Sequence, residues 1–429
     1  MSAAGLTMLL GLSAFGLVAH ALRPFRRPTP IQLFGLFASW IPIELPLHVL
    51  ALLGGTVLFC ISAGGLDDWP GWIGMMGFTA AAVGLLHLSG GARQVVDRVN
   101  DALEALPQAS EPIQPYHWAR LWLPTSHYQP SVITDLNRAY TESGHPRHRL
   151  DVYRSKTHRG PSPVVLQLHG GGWIIGHKRQ QGRPLLTHLA ANGFVCVAAN
   201  YRLSPKATFP EHIIDVKRAI AWIRAHIAEY GGDPNFIVLT GGSAGAHLAS
   251  LAALTPNYAP WQPGFEDADT TIQACVPLYG VYDCTNRGGF FPVRGVDRMF
   301  ERHIMKAPLA TDRPRYEAAS PLYRLTPDAP PFLAIHGIRD SFAPVEQYRE
   351  FLADLRDVST SPVYGIELPW AQHAFDVFPS VRVKGVLEGI RRFVEAVSAA
   401  NSVEERASSK LGAPETRIGV DDETDGNGF

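Results

Sequence analysis

Ser243 lies at the centre of a sequence that favours nucleophilic catalysis. Its neighbours form Gly241-Gly242-Ser243-Ala244-Gly245, which fits the pattern G-x-S-x-G. Small residues on both sides allow a sharp strand-to-helix turn that presents the serine hydroxyl, because larger side chains would clash with neighbouring backbone. A β-rich run, 236–239, precedes the motif and a helix-forming run, 244–254, follows it. This context predicts a nucleophile, the alternative being a serine with a purely structural role in a turn.

A glycine-rich stretch offers the complementary part of an acyl-transfer site. The sequence LHGGGWIIG, residues 168–176, follows an apolar run. Bare backbone N–H groups are well suited to stabilise an oxyanion, and a glycine run leaves no side chain in the way of the acyl group. Gly171 and Gly172 are therefore predicted to donate N–H bonds, together with Ala244. A phosphate-binding loop would need a following GK[ST] sequence, which is absent from this chain; His169 is interpreted as a histidine that fixes the loop.

Two later loops offer an acid and a base in the chain order that this chemistry requires. After the nucleophile come an acid and then a histidine, each on a loop that follows a strand. Asp340 follows the apolar run FLAIHG, and His373 follows VYGIEL. His373 would accept the Ser243 proton while Asp340 holds the imidazole in the correct tautomer. The alternatives are Asp376 as the acid and His336 as the base.

The elements that must position these residues alternate between strand and helix patterns. From residue 163 onward, apolar runs such as VVLQL, FVCVAAN and FIVLT are each followed by a stretch with helical spacing. Two further strands are predicted between residues 132 and 155, around the turn SGHP. Such alternation indicates an α/β fold with a mostly parallel sheet and helices on both faces.

Apolar residues are concentrated before this region. Three runs, 2–22, 45–66 and 69–92, contain no Asp, Glu, Lys or Arg. Two aspartates separate the second run from the third. Each is close to the ~20 residues that cross a bilayer as a helix. We expect a helical transmembrane region of about three spans, with 31–43 lying at the interface. The alternatives are buried core helices or, for the first run, a signal peptide, although that run lacks a basic start.

Basic residues indicate an orientation for these spans. Arg23, Arg26 and Arg27 follow the first run, and Arg93 and Arg98 follow the third. Two spans separate the basic groups, so both can face the cytoplasm, as the positive-inside rule prefers. The prediction is a multi-pass membrane protein whose catalytic domain is cytoplasmic. If 31–43 crosses the membrane, the side is inverted.

Charge and cysteine content argue against several other classes. Lys and Arg number 38 and Asp and Glu 39, for a net charge of −1, so no basic excess points to a nucleic-acid partner. The four cysteines show no CxxC spacing and are interpreted as buried free thiols rather than as a metal site or a disulfide framework; they are Cys60, Cys196, Cys275 and Cys284.

The domain organisation follows from these segments. Residues 1–92 form the predicted transmembrane region and 93–130 an amphipathic linker or lid, on which Val95, Val99, Leu103 and Leu106 share helical spacing. The catalytic α/β domain is predicted to span 131–399, with a cap insert at 283–322. Four residues of that insert are expected either to line an acyl pocket or to take part in ordinary packing; they are Phe290, Phe291, Met299 and Phe300. Residues 400–429 are polar and predicted to be a disordered tail.

Several motifs together resemble one enzyme family. HGGGW, NYRLSP, GGSAGAHLAS, HGIRD and QHAFDVF, between residues 132 and 400, are similar to the hormone-sensitive-lipase-like (type IV) carboxylesterases of the α/β-hydrolase fold. GGSAGAHLA and GHKR lean toward the feruloyl-esterase-like and kynurenine-formamidase-like relatives. The N-terminal spans resemble those of membrane-attached Lip-type esterases. The resemblance implies ester hydrolysis without a cofactor, with Ser243, Asp340 and His373 as the triad and with Gly171, Gly172 and Ala244 as the oxyanion hole.

The expected function is that of a membrane-anchored serine esterase for short- to medium-chain acyl esters, small molecules or lipids. An amidase, a deacetylase and an acyltransferase remain open as alternatives, because the same residues serve all three reactions. A non-catalytic binding module is the alternative from another class, and an intact Ser, Asp and His set argues against it. The sequence leaves the oligomeric state open.

Overall fold

Apolar runs rich in Val, Ile and Leu form the centre of the molecule, as expected for strands that are buried on both faces. The computed structural model describes residues 1–24, 31–106, 129–157, 160–291 and 295–411. Its strands are β1 Val132–Ala139, β2 Arg149–Ser155, β3 Ser162–Leu168, β4 Val195–Ala199, β5 Gly232–Gly242, β6 Ala274–Leu278, β7 Phe332–Gly337 and β8 Val363–Leu368. Its α-helices are α1 Ala3–Leu22, α2 Ile31–Glu44, α3 Pro46–Ser62, α4 Trp69–Ala102, α5 Arg183–Ala191, α6 Glu211–His226, α7 Ala244–Ala253, α8 Val296–Met299, α9 Arg313–Ala319, α10 Val345–Val358 and α11 Val381–Leu411.

The eight strands form one sheet in the order β1-β2-β4-β3-β5-β6-β7-β8. Strand β2 is antiparallel to both β1 and β4, whereas the pairs from β4 through β8 are parallel. This arrangement confirms the predicted α/β class with a mostly parallel sheet. We call the part from β1 to α11 the sheet domain, and α1 to α4 the helical region.

Two layers of helices cover the sheet. Helices α6, α7 and α10 contribute to the apolar core on one face. Helices α5 and α11 and the end of α4 contribute to the core on the other face. Because the parallel strands point the same way, their carboxyl ends lie at one edge, where the loops that follow β3, β5, β7 and β8 meet.

Helices α1 and α4 lie against each other along most of α1. A Cβ atom at Gly11 would be 2.0 Å from the carbonyl oxygen of Gly74, so the two backbones touch there and only glycine fits. Farther along, Val18 contacts Gly84, which shows that the two helices run in the same direction. By length and composition α1 and α4 could each cross a membrane, and α2 and α3, bent by 93°, could form a third span.

Helix α3 runs in the opposite direction to α1 and α4. Just before the start of α3, Glu44, the last residue of α2, pairs with Arg382 of the sheet domain. At its other end, the carbonyl of Cys60 accepts a hydrogen bond from Gly65, which in turn lies beside Thr7 near the start of α1. The first residues of α1 are therefore at the end of the helical region that is remote from the sheet domain.

The amphipathic stretch after residue 93 differs from its expected role. Helix α4 continues through it to Ala102, and Val95, Val99 and Leu103 are fully buried. Val99 packs over Gly389 of α11, where a Cβ would come within 2.6 Å of it. This stretch is thus part of the core of the sheet domain, because its apolar face finds a protein partner instead of a membrane surface or an active-site opening. Residues 107–128 of the predicted linker lie outside the described residues.

The C-terminal helix also extends beyond the predicted limit. Helix α11 reaches Leu411, so residues 400–411 are helical instead of disordered. The sequence NSVEERASSKL has no proline and no glycine before residue 412, and it contains several good helix formers. Residues 412–429 of the predicted tail lie outside the described residues.

Candidate active site

The turn between β5 and α7 places Ser243 in an unusual backbone conformation. Its φ angle is 56° and its ψ angle is −119°, a backbone conformation that residues other than glycine rarely adopt. A Cβ at Gly245 would lie 2.0 Å from the carbonyl oxygen of Leu168, and one at Gly241 would lie 2.6 Å from the same atom. Both glycines therefore let the turn pass close to the end of β3. The amide of Ser243 donates to the carbonyl of Leu278, 3.0 Å away, which fixes the turn to β6.

A chain of hydrogen bonds joins Ser243, His373 and Asp340. The Oγ atom of Ser243 lies 2.9 Å from Nε2 of His373. The Nδ1 atom of His373 lies 2.7 Å from Oδ2 of Asp340. All three side chains are buried. The structure thus brings together the residues that sequence reasoning selected from three separate loops.

The second oxygen of Asp340 is occupied by its own loop. Oδ1 accepts hydrogen bonds from the amides of Phe342 and Ala343, each 2.8 Å long. Asp340 therefore has one oxygen held by the backbone and the other available for His373.

Gln372 joins the acid loop to the histidine loop, and sequence reasoning did not identify it. Its Oε1 atom accepts from the amide of Ser341, at 2.7 Å, and from the amide of His373, at 2.9 Å. Gln372 is fully buried. It directly precedes His373 and it faces the residue after Asp340, so one side chain sets the distance between the two loops.

The glycine loop lies beside the serine. Gly171 and Gly172 have φ angles of 107° and 59°, which favour glycine. The amide of Gly170 donates to Oε1 of Gln181, at 2.7 Å, and a Cβ at Gly170 would lie 3.2 Å from Cβ of Ser243. Within the described part of the chain, no hydrogen bond uses the amide N–H of Gly171, Gly172 or Ala244. These donors remain available to a ligand.

His169, at the start of the glycine loop, is held by two neighbouring side chains. Its Nε2 atom lies 2.9 Å from Nη2 of Arg147, and its ring stacks on Tyr201 with centroids 4.4 Å apart. Burial lowers the pKa of His169 to about 3. The ring is therefore neutral at physiological pH and accepts from Arg147.

The two alternative residues lie outside the serine-histidine-aspartate chain. The carboxylate of Asp376 accepts a hydrogen bond from the hydroxyl of Tyr279, and Tyr279 also packs edge-on against His373 with ring centroids 4.9 Å apart. His336 lies behind the acid: its Nε2 atom is 2.9 Å from the carbonyl oxygen of Ala343. Burial lowers the pKa of His336. Tyr279 is a second contact that sequence reasoning missed, because it lies far from His373 in the chain.

The aromatic residues of the predicted cap insert divide into two groups. Phe291 and Phe300 are buried in the core of the sheet domain, and Phe300 contacts Trp173 with centroids 5.4 Å apart. Met299 reaches the glycine loop, since its sulfur would lie 3.4 Å from a Cβ at Gly172. Phe290 is 36% exposed. Met299 therefore borders Gly172 itself, whereas Phe300 contacts the same loop through Trp173.

Relatives of the chain are found among ester hydrolases. Residues 150–355 match the protein family BD-FAE. "Probable carboxylic ester hydrolase LipM" of Mycobacterium tuberculosis is 42% identical over 398 residues, which cover 89% of this chain and 90% of that protein. "Esterase LipQ" of the same organism is 44% identical over 253 residues, which cover 59% of this chain and 60% of that protein.

Solved structures share the fold. Esterase B from Lactobacillus rhamnosis matches with a TM-score of 0.56 at 22% identity, over 74% of this chain and 99% of that chain. A truncated carbohydrate esterase from gut microbiota matches with a TM-score of 0.54 at 23% identity, over 62% of this chain and 96% of that chain. At these identities the likeness concerns the fold alone. The match to LipM covers 89% of this chain and therefore includes at least part of the helical region.

Proposed function

The chain belongs to the α/β-hydrolase carboxylesterases and is a carboxylic ester hydrolase, and from that membership we propose that Ser243 is its nucleophile. The observation that carries this proposal is the hydrogen-bond chain, 2.9 Å from Ser243 to His373 and 2.7 Å from His373 to Asp340. These are the distances over which a base and its orienting group can act. The depth of burial keeps the acid away from bulk water, where its interaction with the imidazole would be weaker.

The proposed reaction has two stages. The Oγ atom of Ser243 attacks the ester carbonyl carbon while Nε2 of His373 takes the hydroxyl proton, and His373 then gives that proton to the departing alcohol. The resulting acyl-enzyme is cleaved by a water molecule, which His373 deprotonates in the same way before it returns the proton to Ser243. Asp340 holds Nδ1–H of the imidazole and stabilises the imidazolium form in each stage.

The carbonyl oxygen becomes negatively charged in both stages. We assign the amides of Gly171, Gly172 and Ala244 as its donors. Ala244 directly follows Ser243, the glycine loop approaches Ser243 at Gly170, and no hydrogen bond in the described part of the chain uses these three N–H groups. Removal of one such donor in other enzymes costs about 10²–10³ in kcat. No metal or organic cofactor is needed for this assignment.

We propose that the substrates are short- to medium-chain acyl esters that enter from a membrane. The support is the exposed apolar surface of the helical region, where Leu52 is 71% exposed, Leu58 69% and Met76 73%. Contiguous apolar surface of this kind marks a partner surface, and two helices are long enough to cross a bilayer. The basic residues that flank the spans favour the cytoplasmic side for the sheet domain.

The nucleophile is tested by substitution and by labelling. Ser243→Ala is expected to abolish turnover of p-nitrophenyl butyrate and labelling by a fluorophosphonate probe, whereas the control Ser402→Ala keeps both. Ser402 is exposed on α11 and bonds only to the carbonyl of Ser398, 3.0 Å away, in the described structure. Probe attachment to a serine other than Ser243, mapped by mass spectrometry, would contradict the assignment.

The substrate class is tested separately with the wild-type chain. Rates with p-nitrophenyl esters of two to sixteen carbons, a matched anilide and an added alcohol acceptor distinguish an esterase from an amidase and from an acyltransferase. We expect the highest kcat/KM on esters of about four to eight carbons, with low activity on the anilide. Faster cleavage of the anilide, or an ester product with the added alcohol in excess of the free acid, would favour an alternative reaction.

A further inference from the structure

We propose that helices α2 and α4 of the helical region hold the loop that carries His373, and so position the catalytic base. This inference rests on the proposed function, because it takes His373 to be the base. The loop, residues 369–378, follows β8 and lies between the end of the sheet and α11. Three sets of contacts connect it to residues that come some 300 positions earlier in the chain.

The loop has two strained positions, one on each side of His373. Trp370 has a φ angle of 61° and Ala374 one of 57°. Residues with a Cβ rarely adopt this left-handed region, and they keep it only where the surrounding structure holds them. The loop therefore needs external contacts at these two residues, and each of them has such a contact from the helical region.

Helix α2 holds the position after His373. The indole N–H of Trp40 donates to the carbonyl oxygen of Ala374, 3.0 Å away. The same indole ring packs edge-on against Phe378, with centroids 5.6 Å apart. Trp40 thus contacts the loop at the strained residue that directly follows the base.

Helix α4 holds Trp370, the strained residue three positions before His373. The ring of Trp370 lies against Gly91, where an added Cβ would be 2.3 Å from Cδ1 of the indole. His87 packs edge-on against the same ring, with centroids 4.9 Å apart. The guanidinium of Arg339 lies 4.9 Å from the ring centroid. Because Arg339 directly precedes Asp340, the Trp370 ring connects α4 to the acid loop as well as to the histidine loop.

A buried ion pair secures the beginning of the loop. Glu44, at the end of α2, lies 3.2 Å from Nε of Arg382 and accepts from the hydroxyl of Ser380 at 3.0 Å. Arg382 in turn donates to the carbonyl of Pro369, the residue before Trp370. Three successive parts of the loop are consequently fixed by α2 and α4.

The experiment uses the full chain in phospholipid nanodiscs and separates kcat from KM on p-nitrophenyl butyrate. Trp40→Phe removes the indole donor and keeps an aromatic ring. Gly91→Ala forces Trp370 away from α4. The matched controls are Trp72→Phe, at an indole that is 60% exposed, and Gly90→Ala, at an exposed neighbour where an added Cβ meets nothing within 4 Å.

We expect kcat to fall about fivefold in Trp40→Phe, for the loss of one neutral hydrogen bond, and tenfold or more in Gly91→Ala, because a misplaced base is costly. KM stays near the wild-type value in both variants, and the unfolding temperature stays near the wild-type value in Trp40→Phe, whereas it falls in Gly91→Ala because the added Cβ overpacks the contact with Trp370. The rate of fluorophosphonate labelling falls in parallel with kcat. Both controls keep kcat within twofold.

Two results would overturn the inference: unchanged kcat in both loop-contact variants, or equal losses in the controls. Ser243→Ala, measured alongside, distinguishes the inference from the proposed function. If Ser243→Ala is inactive while Trp40→Phe and Gly91→Ala keep kcat, only the positioning role is wrong. If Ser243→Ala is active, the proposed nucleophile itself is wrong. Should Gly91→Ala fail to fold, Trp40→Phe decides alone.

Discussion

The two carboxylate oxygens of Asp340 have different hydrogen-bond partners. Its Oδ1 atom accepts two backbone amides, and its Oδ2 atom faces Nδ1 of His373. Asp376, only three residues after His373, is instead held by Tyr279. The two aspartates are therefore chemically distinct, although both are buried close to the same histidine.

Asp340→Asn is expected to lower kcat by about 10⁴ and leave the fold intact. The NH2 group of asparagine would donate a hydrogen bond to Nδ1, whereas the carboxylate accepts one from Nδ1–H. The imidazole is then held in the tautomer that carries its proton on Nε2, so Nε2 is unable to accept the serine proton. The measurement is kcat on a p-nitrophenyl ester, together with the unfolding temperature. Asp376→Asn is the matched control and should keep most activity, since an amide oxygen still accepts from Tyr279. The opposite pattern in the two variants would make Asp376 the acid.

The sequence was sufficient to predict that Ser243, Asp340 and His373 come together, because few residue types perform the proposed chemistry and their order along the chain is restricted. It was insufficient for residues whose role depends on proximity alone. Trp40 and Ala374 are 334 residues apart and share one hydrogen bond. Gln372 adjoins His373 in sequence, but its bond to the amide of Ser341 exists only once two loops are brought together.

At the scale of elements, α4 crosses a boundary that the sequence pattern suggested. Charged residues begin at Arg93, which predicted the end of a span there, yet the helix continues for nine more residues to Ala102. No proline or other helix breaker intervenes, and the apolar face that buries Val95 and Val99 continues in register toward α11. The strands from β3 to β8 were easier to predict, since each contains a short apolar run bounded by turn residues.

The Glu44 and Arg382 pair joins α2 to α11, and its loss should destabilise the protein strongly. Both side chains are buried, so Glu44→Leu leaves an uncompensated guanidinium and is expected to cost about 3–5 kcal/mol. The double variant Glu44→Leu with Arg382→Met should recover much of this loss, because both charges are removed together. Unfolding temperatures of the full chain in detergent micelles measure the effect. Strictly additive losses would show that the two residues are not coupled.

Glu388 on α11 makes the attachment of α5 dependent on pH. His188, whose Nε2 atom lies 3.4 Å from Oε2 of Glu388, and Arg391 lower the pKa of Glu388 from 4.5 to about 2 against the opposing effect of burial. A carboxyl with a lowered folded-state pKa adds stability above the unfolded-state value, and this stability is lost as pH falls from 4.5 toward 2. Glu388→Gln should therefore cost on the order of 2 kcal/mol at pH 7.

The pH dependence of that difference is the measurement. Urea unfolding of both chains at several pH values should show the gap between wild type and Glu388→Gln narrowing below pH 4.5. Glu395→Gln serves as the control, since Glu395 contacts the same Arg391 but its side chain is 46% exposed, and its effect should be small throughout. A gap that stays constant down to pH 3 would contradict the assigned linkage.

For the whole molecule, the arrangement of the helical region places the start of α1 away from the sheet domain. Helices α1 and α4 run toward the sheet domain and α3 runs away from it. If all three cross a bilayer, the N-terminus and the sheet domain lie on opposite sides. Helix α2, whose Trp40 contacts the sheet domain, then lies at the same surface as that domain, as expected for an interfacial segment.

The basic residues predict which side of the membrane the sheet domain lies on, and fusion reporters provide the test. Arg23 lies at the sheet-domain end of α1, and Arg93 and Arg98 lie at that end of α4, whereas Asp67 and Asp68 lie at the far end. Since positive charge is retained in the cytoplasm, a cytoplasm-active reporter fused after residue 429 should be active and a periplasm-active one inactive. A fusion after residue 66 should give the reverse. If both fusions report the inverted sides, the sheet domain is extracytoplasmic; if both report the same side, α4 does not cross the membrane.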